Sequence, residues 1–193
     1  GIRYIVKVSA RGAALDSPLT LGRAHAEVEQ ALADSGIDHT ILRPGSFMQN
    51  VLGSADTIRE RGEFYGSSGG GKDALVDARD IASVAFATLT ADGHAGKIYT
   101  LVGPDALSNE DVTEVLTGTL GKDVRYVDLP GEVYKAGLME AGLPEWLADD
   151  LVTVNALVAQ GHGAESNGEV TQVTGKPART FAAFVAEYAD AFR

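Results

Sequence analysis

Between Ile2 and Arg43 the chain reads strand, helix, strand, and this order restricts it to folds built on a parallel sheet. The opening GIRYIVKVSA sets Tyr4, Val6 and Val8 against Ile5 and Lys7 in a nearly continuous apolar run, the pattern of a central strand with a neighbour on each side. After the loop RGAALDSP, the segment TLGRAHAEVEQALADSG repeats Leu21, Ala24, Val28, Ala31 and Leu32 at helical spacing and stops at Gly36. A second strand, Asp38 to Arg43, carries Thr40, Ile41 and Leu42. Two parallel strands need a crossover, and a helix of this length supplies a right-handed one.

The second strand ends at Pro44-Gly45 and runs into small and polar residues, so that Asp38 to Asn50 reads DHTILRPGSFMQN. In open α/β sheets ligands sit beyond the carboxyl ends of the strands, which makes this loop a binding-site candidate. Pro44 fixes its own φ and removes a donor, while Gly45 lets backbone approach a ligand closely. An ordinary strand-to-helix turn would use the same residues.

Further along, Val51 to Arg61 reads as a helix closed by Gly62. The run Gly66 to Lys72, GSSGGGK, nearly spells a phosphate-binding loop, but Asp73 replaces the magnesium-binding hydroxyl and would repel phosphate. Ala74 to Val76 then reads as a strand instead of a helix N-terminus, so a connecting loop is the better reading. Asp77 is placed to cap a helix carrying Ile81, Val84, Ala85, Thr88 and Leu89 on one face, with Asp80 as a capping or solvated carboxylate and His94 as a solvated turn residue. KIYTLVG is the next strand, and Ser108 with Asp111 opens another helix as a capping box. VRYVDLP is a short strand, followed by helices over Glu132 to Ala141 and Trp146 to Ala159, the polar stretch GHGAESNGE, and a terminal helix from Thr180 whose Phe181, Phe184, Val185, Tyr188 and Phe192 form core.

A formal charge of -11, from 16 basic and 27 acidic residues, argues against a phosphate-backbone binder, so no nucleic-acid partner is expected. Nor is a membrane partner expected, because no run of about 18 apolar residues occurs. The absence of cysteine excludes disulfides and thiolate chemistry and fits a cytoplasmic setting. With 45% hydrophobic residues among 193, the chain can bury a real core.

Taken in order, IVKVSA, GRAHAEVEQAL, ILRPGSFMQN, VDARDIA, HAGKIYTLVGP and TGKPARTFAAFV resemble the NmrA-like NAD(P)-binding proteins, an atypical branch of the short-chain dehydrogenase/reductase superfamily, and among them the quinone-oxidoreductase-like members. The resemblance runs from about residue 2 to the end. It implies an α/β fold: the C-terminal part of a Rossmann-like doubly wound parallel sheet with a small, mainly helical α/β substrate subdomain. The expected division is a single domain over 1–193, with the sheet part roughly 1–60 and 77–103 and the substrate side roughly 61–76 and 104–193. Family members begin with a strand, a GxxGxxG turn and a helix, and this sequence contains no such turn. The expectation is therefore that an N-terminal half of the domain is missing, that the strand from Ile2 to Val8 has an unpaired edge, and that this chain alone does not bind cofactor competently.

The resemblance also implies functional residues. Superfamily oxidoreductases use a serine after the fifth strand and a Tyr-x-x-x-Lys on the next helix; here Ser9 lies in the first region, whereas the tyrosine position is Leu21 and the lysine position is His25. Leu21 can do no acid-base work, which puts ordinary carbonyl reduction in doubt but leaves hydride transfer to a quinone open, with protons from solvent or His25. Ser9 and His25 are thus the expected catalytic and cofactor-binding pair, although His25 fits a hydrogen-bonded structural histidine equally well. Pro44, Gly45, Ser46 and Phe47 would line the nicotinamide end of NADP or NAD, with NADPH preferred, and Asn50 and Phe47 would meet a small-molecule substrate. No metal site is expected, and a homodimer is compatible with this reading. Two functions follow: an NAD(P)H-dependent reductase of quinone-like or other small electrophiles, or a non-catalytic NADP-binding redox sensor that controls a protein partner.

Overall fold

The computed structural model describes residues 1–193. The strands are β1 (Tyr4–Val8), β2 (Asp38–Pro44), β3 (Glu63–Gly66), β4 (Ile98–Leu101) and β5 (Arg125–Asp128). The helices are α1 (Thr20–Asp34), α2 (Ala55–Arg61), α3 (Ala78–Thr90), α4 (Asn109–Leu120), α5 (Gly131–Glu140), α6 (Glu145–Ala159), α7 (Glu169–Thr174) and α8 (Phe181–Glu187). One sheet has the order β1-β2-β4, the other pairs β3 with β5, and every pairing is parallel. This is the Rossmann-type α/β architecture that the strand-helix-strand opening demands.

The pleat of β1 decides what meets what. Val6 packs into the core that Leu42, Val76, Ile81, Val84, Leu101 and Val170 form beneath α3. Lys7 and Ser9, of opposite parity to Val6, reach side chains of α1 on the other face. A second core, with Met48, Val51, Ile58, Val112, Leu116, Phe181, Phe184 and Phe192, lies between α2, α4 and α8. Each large side chain fully buried there contributes about 1.5–3 kcal/mol. The aromatic residues at the C-terminus are core, as their spacing implies.

Caps set the helix ends. Asp77 accepts the Arg79 N–H at the start of α3, and Ser108 with Asp111 forms the capping box of α4. Gly62 closes α2 at φ 66, and a β-carbon there would stand 2.6 Å from the Asp123 carbonyl oxygen, so glycine is required twice over. α1 is different: its N-cap is Leu19, which has nothing to accept with. Asp150, from α6, accepts the Thr20 and Leu21 N–H groups at 2.9 and 2.8 Å instead.

The two edges of the larger sheet differ. At β4 the Thr100 N–H donates to the Glu169 carboxylate and its carbonyl accepts from Asn167 Nδ2 at 2.7 Å, so side chains complete the ladder. β1 pairs with β2 alone, and Ile2 and Val8 are 72% and 46% exposed beside it.

Several expectations need correction. Ala74 to Val76 is not a strand; residues 73–76 make single bridges, Asp73 to Leu107 and Val76 to Phe47, as the chain crosses between sheets. The helix expected from Val51 begins as a 3-10 turn, Met48–Ser54, before α2. α7 was not anticipated: six residues inside a polar region give too short a periodic signal, and it returns to pack on α3 and β4, on the sheet side of the molecule. Asp80 is neither a cap nor solvated, being 3% exposed and paired with Arg179, whose N–H it also accepts. His94 is half-buried, its Nδ1 2.8 Å from the Tyr99 hydroxyl. No helix is long and apolar enough to cross a membrane.

Candidate functional site

The carboxyl ends of β1 and β2 are laced together by backbone. Ser9 N–H donates to the Leu42 carbonyl, Arg11 N–H to Pro44, Gly45 N–H to Leu101, and Val76 N–H to Ser46, all between 2.6 and 2.9 Å. These bonds gather the loops after β1, β2 and β4 at one end of the sheet, where a ligand would meet all three. A β-carbon on Gly45 would lie 3.3 Å from Val102 Cγ1 and 3.6 Å from the Arg11 guanidinium carbon, so the bare glycine keeps the backbone accessible between them. Beyond Gly45, the N–H groups of Ser46 and Phe47 donate to no acceptor within the protein. Two successive free amides beside a glycine suit a carboxamide or another planar acceptor group. Pro44 is buried, Phe47 is half-buried against the core under α3, and Asn50 is exposed with its side chain unengaged.

Ser9 and His25 sit on the α1 side of the sheet, in a network of titratable groups. The Ser9 hydroxyl donates to Glu29, which also receives Arg43 in a two-point pair, and Lys7 Nζ lies 2.8 Å from His25 Nδ1. Burial pushes the Glu29 carboxyl up, but hydrogen bonds from Arg43 and Ser9 outweigh it and hold the carboxyl below its usual range. Arg43 is raised in turn, chiefly by its hydrogen bonds to Glu29. Burial, then the Lys7 charge, lowers the His25 pKa against the opposing pull of Glu29. Lys7 is lowered as well, by burial first.

Ser9 is 4% exposed with its hydroxyl committed to Glu29, so it ties β1 to α1 instead of facing open space. His25 Nε2 has no partner within the protein and is not buried. Leu21 is 43% exposed at the start of α1. Lys7, Glu29 and Arg43 were not singled out in the sequence; a lysine inside an apolar strand, and a glutamate one turn beyond His25, were the available signals. Arg11 and Asp73, which form an ion pair at 3.2 Å over Gly45, had none.

The polar stretch after α6 also belongs here. The Gly163 carbonyl accepts the Ala74 N–H and a long contact from Arg11, and a β-carbon on Gly163 would stand 2.5 Å from the Lys72 carbonyl oxygen. The loop Gly66 to Lys72 leads into residues 73–76 and not into a helix, so it offers no phosphate-binding N-terminus. A cleft of about 710 Å³ lies elsewhere, between the 104–107 loop and α4 near Lys72, Asp111 and Glu114. It is broad and open, half of its lining residues are charged, and it contains none of the expected site residues, which lie at the strand ends instead. A smaller cavity of about 250 Å³ lies under α1, beside Glu29, His39 and Lys97.

The residues present fit the nicotinamide end of a dinucleotide: free amides, a half-buried ring and a polar side chain stand at the strand ends. They include no glycine-rich turn to take a pyrophosphate.

Comparisons with known proteins bear on the family and the fold. The chain is 43% identical over 192 residues to NAD(P)H azoreductase of Xenophilus azovorans, covering 100% of this chain and 67% of that protein. It is 36% identical over 182 residues to quinone oxidoreductase 2 of Escherichia coli K12, covering 94% of this chain and 63% of that protein. The crystal structure of the NADPH-dependent quinone oxidoreductase QOR2 from Escherichia coli complexed with NADPH superposes with a TM-score of 0.87 at 34% identity, covering 97% of this chain and 66% of that one. The chain thus spans about two thirds of the length of these relatives. The model of the NmrA-like family matches residues 22–186, and the chain belongs to that family.

Proposed function

We propose that the protein is an NAD(P)H-dependent reductase of quinone-like or other small electrophilic acceptors, with NADPH as the preferred donor. The observation that carries this reading is the pair of free Ser46 and Phe47 amides beside Gly45 at the carboxyl end of β2, where a nicotinamide carboxamide finds donors and a ring to lie against. The relatives named an NAD(P)H azoreductase and a quinone oxidoreductase support the same chemistry.

When bound, the reduced nicotinamide supplies a hydride. Loop 44–47 would hold and orient it, with the half-buried Phe47 ring beside it. Asn50 offers an exposed amide to an acceptor oxygen. Hydride plus one proton converts a quinone to a hydroquinone, so the protein must position the acceptor and admit a proton but needs no covalent step. The aliphatic Leu21 takes no part in this.

Leu21 also favours a second reading, an NADP-binding redox sensor without turnover. Following the loss of NADPH absorbance with a simple benzoquinone in the full-length protein separates the two. Sustained oxidation in stoichiometric excess over protein supports the reductase. Binding of NADPH without turnover would support the sensor, and absence of binding would refute both.

A further inference from the structure

The Lys7–His25 contact is the feature of the site that the sequence motifs do not explain. Lys7 projects from β1 onto the same face as Ser9, and its Nζ reaches His25 Nδ1 at 2.8 Å across to α1. A lysine beside a histidine puts two bases within one hydrogen bond, and the one proton they share must sit on one of them. An amine binds a proton more tightly than an imidazole by about four pKa units, so the ammonium is the donor and Nδ1 the acceptor. That assigns the tautomer: the ring proton is on Nε2, which is unburied and unpartnered in the protein.

We propose that Lys7 is a positioning residue that keeps His25 neutral with Nε2–H directed outward as a hydrogen-bond donor, so that His25 orients a bound oxygen and the proton completing acceptor reduction comes from water. The surrounding charges agree. On α1 itself, Glu29 would favour an imidazolium, but it is engaged by Arg43 of β2 and by Ser9. From α6, Asp150 is occupied by the Thr20 and Leu21 amides at the start of the helix. Lys7 is then the unbalanced charge against the ring, and its effect is to lower the His25 pKa, as burial also does. The electron balance is unchanged: the reduced nicotinamide gives the hydride, and water in place of His25 gives the proton.

This inference rests on the proposed function for its role in turnover, but the tautomer does not. The test is a nitrogen-detected NMR titration of the histidines in wild-type protein and in Lys7→Met and Lys7→Arg. The expected result is an unprotonated Nδ1 and protonated Nε2 for His25 in the wild type. In Lys7→Met its pKa rises by about one unit, and in Lys7→Arg, which keeps a charged donor, it stays within a few tenths of wild type. A wild-type ring protonated on Nδ1, or a His25 pKa unmoved in Lys7→Met, overturns the proposal. The wild-type tautomer decides the matter even if Lys7→Met fails to fold. For turnover, His25→Gln, which keeps a side-chain N–H donor, should retain most of the quinone-reduction rate while His25→Ala loses it; equal loss in both variants overturns the orienting role, because donation and not proton transfer is what the ring supplies. If NADPH does not bind at all, the proposed function falls while the tautomer assignment stands or falls on the spectra.

Discussion

Asp150→Ala should loosen the molecule more than the loss of one surface carboxylate would suggest. α1 lacks a cap of its own, since Leu19 occupies the N-cap, and two of its orphan N–H groups depend on the Asp150 carboxylate. Removing a capping side chain costs about 0.5–2 kcal/mol, and losing a negative charge at a helix N-terminus removes about 0.3–1 kcal/mol more. Asp150 is 6% exposed, so water cannot readily replace it and the upper part of the range applies: roughly 2 kcal/mol. For a protein of this size that lowers Tm by about 4–8 °C. Asp150→Asn keeps an acceptor without the charge and should lose about half as much. Urea unfolding and calorimetry on the three proteins give the comparison. An Asp150→Ala protein within about 0.5 kcal/mol of wild type, the range of an unremarkable surface change, would refute the claim that α6 caps α1.

Other outcomes follow from the same structure. Asp77 is fully buried; burial raises its pKa, but Arg79, through side chain and backbone, and Gln49 outweigh this and bring it down to about 2 from 3.8. A carboxyl lowered by folding stabilises the native state above its unfolded pKa and ceases to do so as pH falls through the folded one. About 2 kcal/mol should therefore be lost between pH about 4 and 2, and urea unfolding of Asp77→Asn should lack that part of the acid limb. Gly103→Ala should abolish folding or cost several kcal/mol, since its β-carbon would overlap the Leu75 carbonyl oxygen; soluble yield and circular dichroism report it. Phe47→Ala should weaken NADPH binding by about tenfold, the equivalent of about 1.4 kcal/mol of lost ring contact, with His25→Ala affecting affinity or turnover in the same calorimetric and kinetic assays. Wild-type values for both variants would remove these residues from the site.

The fold was legible where the signals were local. The apolar run from Tyr4 to Val8, the spacing of α1 and the Ser108–Asp111 capping box each reflect physics within a dozen residues, and each element formed near its expected place. Asp77 as a cap belongs with them. What was not legible depends on partners far along the chain. Asp80 meets Arg179, Asp150 meets Thr20, and Arg11 meets Asp73, pairs whose separation leaves no pattern to read. The stretch from Ala74 to Val76 has strand composition but follows no neighbour for more than one residue, because it crosses between sheets. The position of the loop Pro44 to Phe47 at the end of β2 could be read from a strand ending in Pro-Gly, while the engagement of Ser9 by Glu29 required knowing which face of β1 meets α1.

The central claim is that the loop after β2 receives the nicotinamide. Its most direct test is amide NMR of the full-length protein during titration with oxidised NADP. The account predicts that the Ser46 and Phe47 N–H signals, free of acceptors in the protein, show the largest shifts in this chain as the cofactor saturates. Saturable binding that leaves both amides unmoved would contradict it.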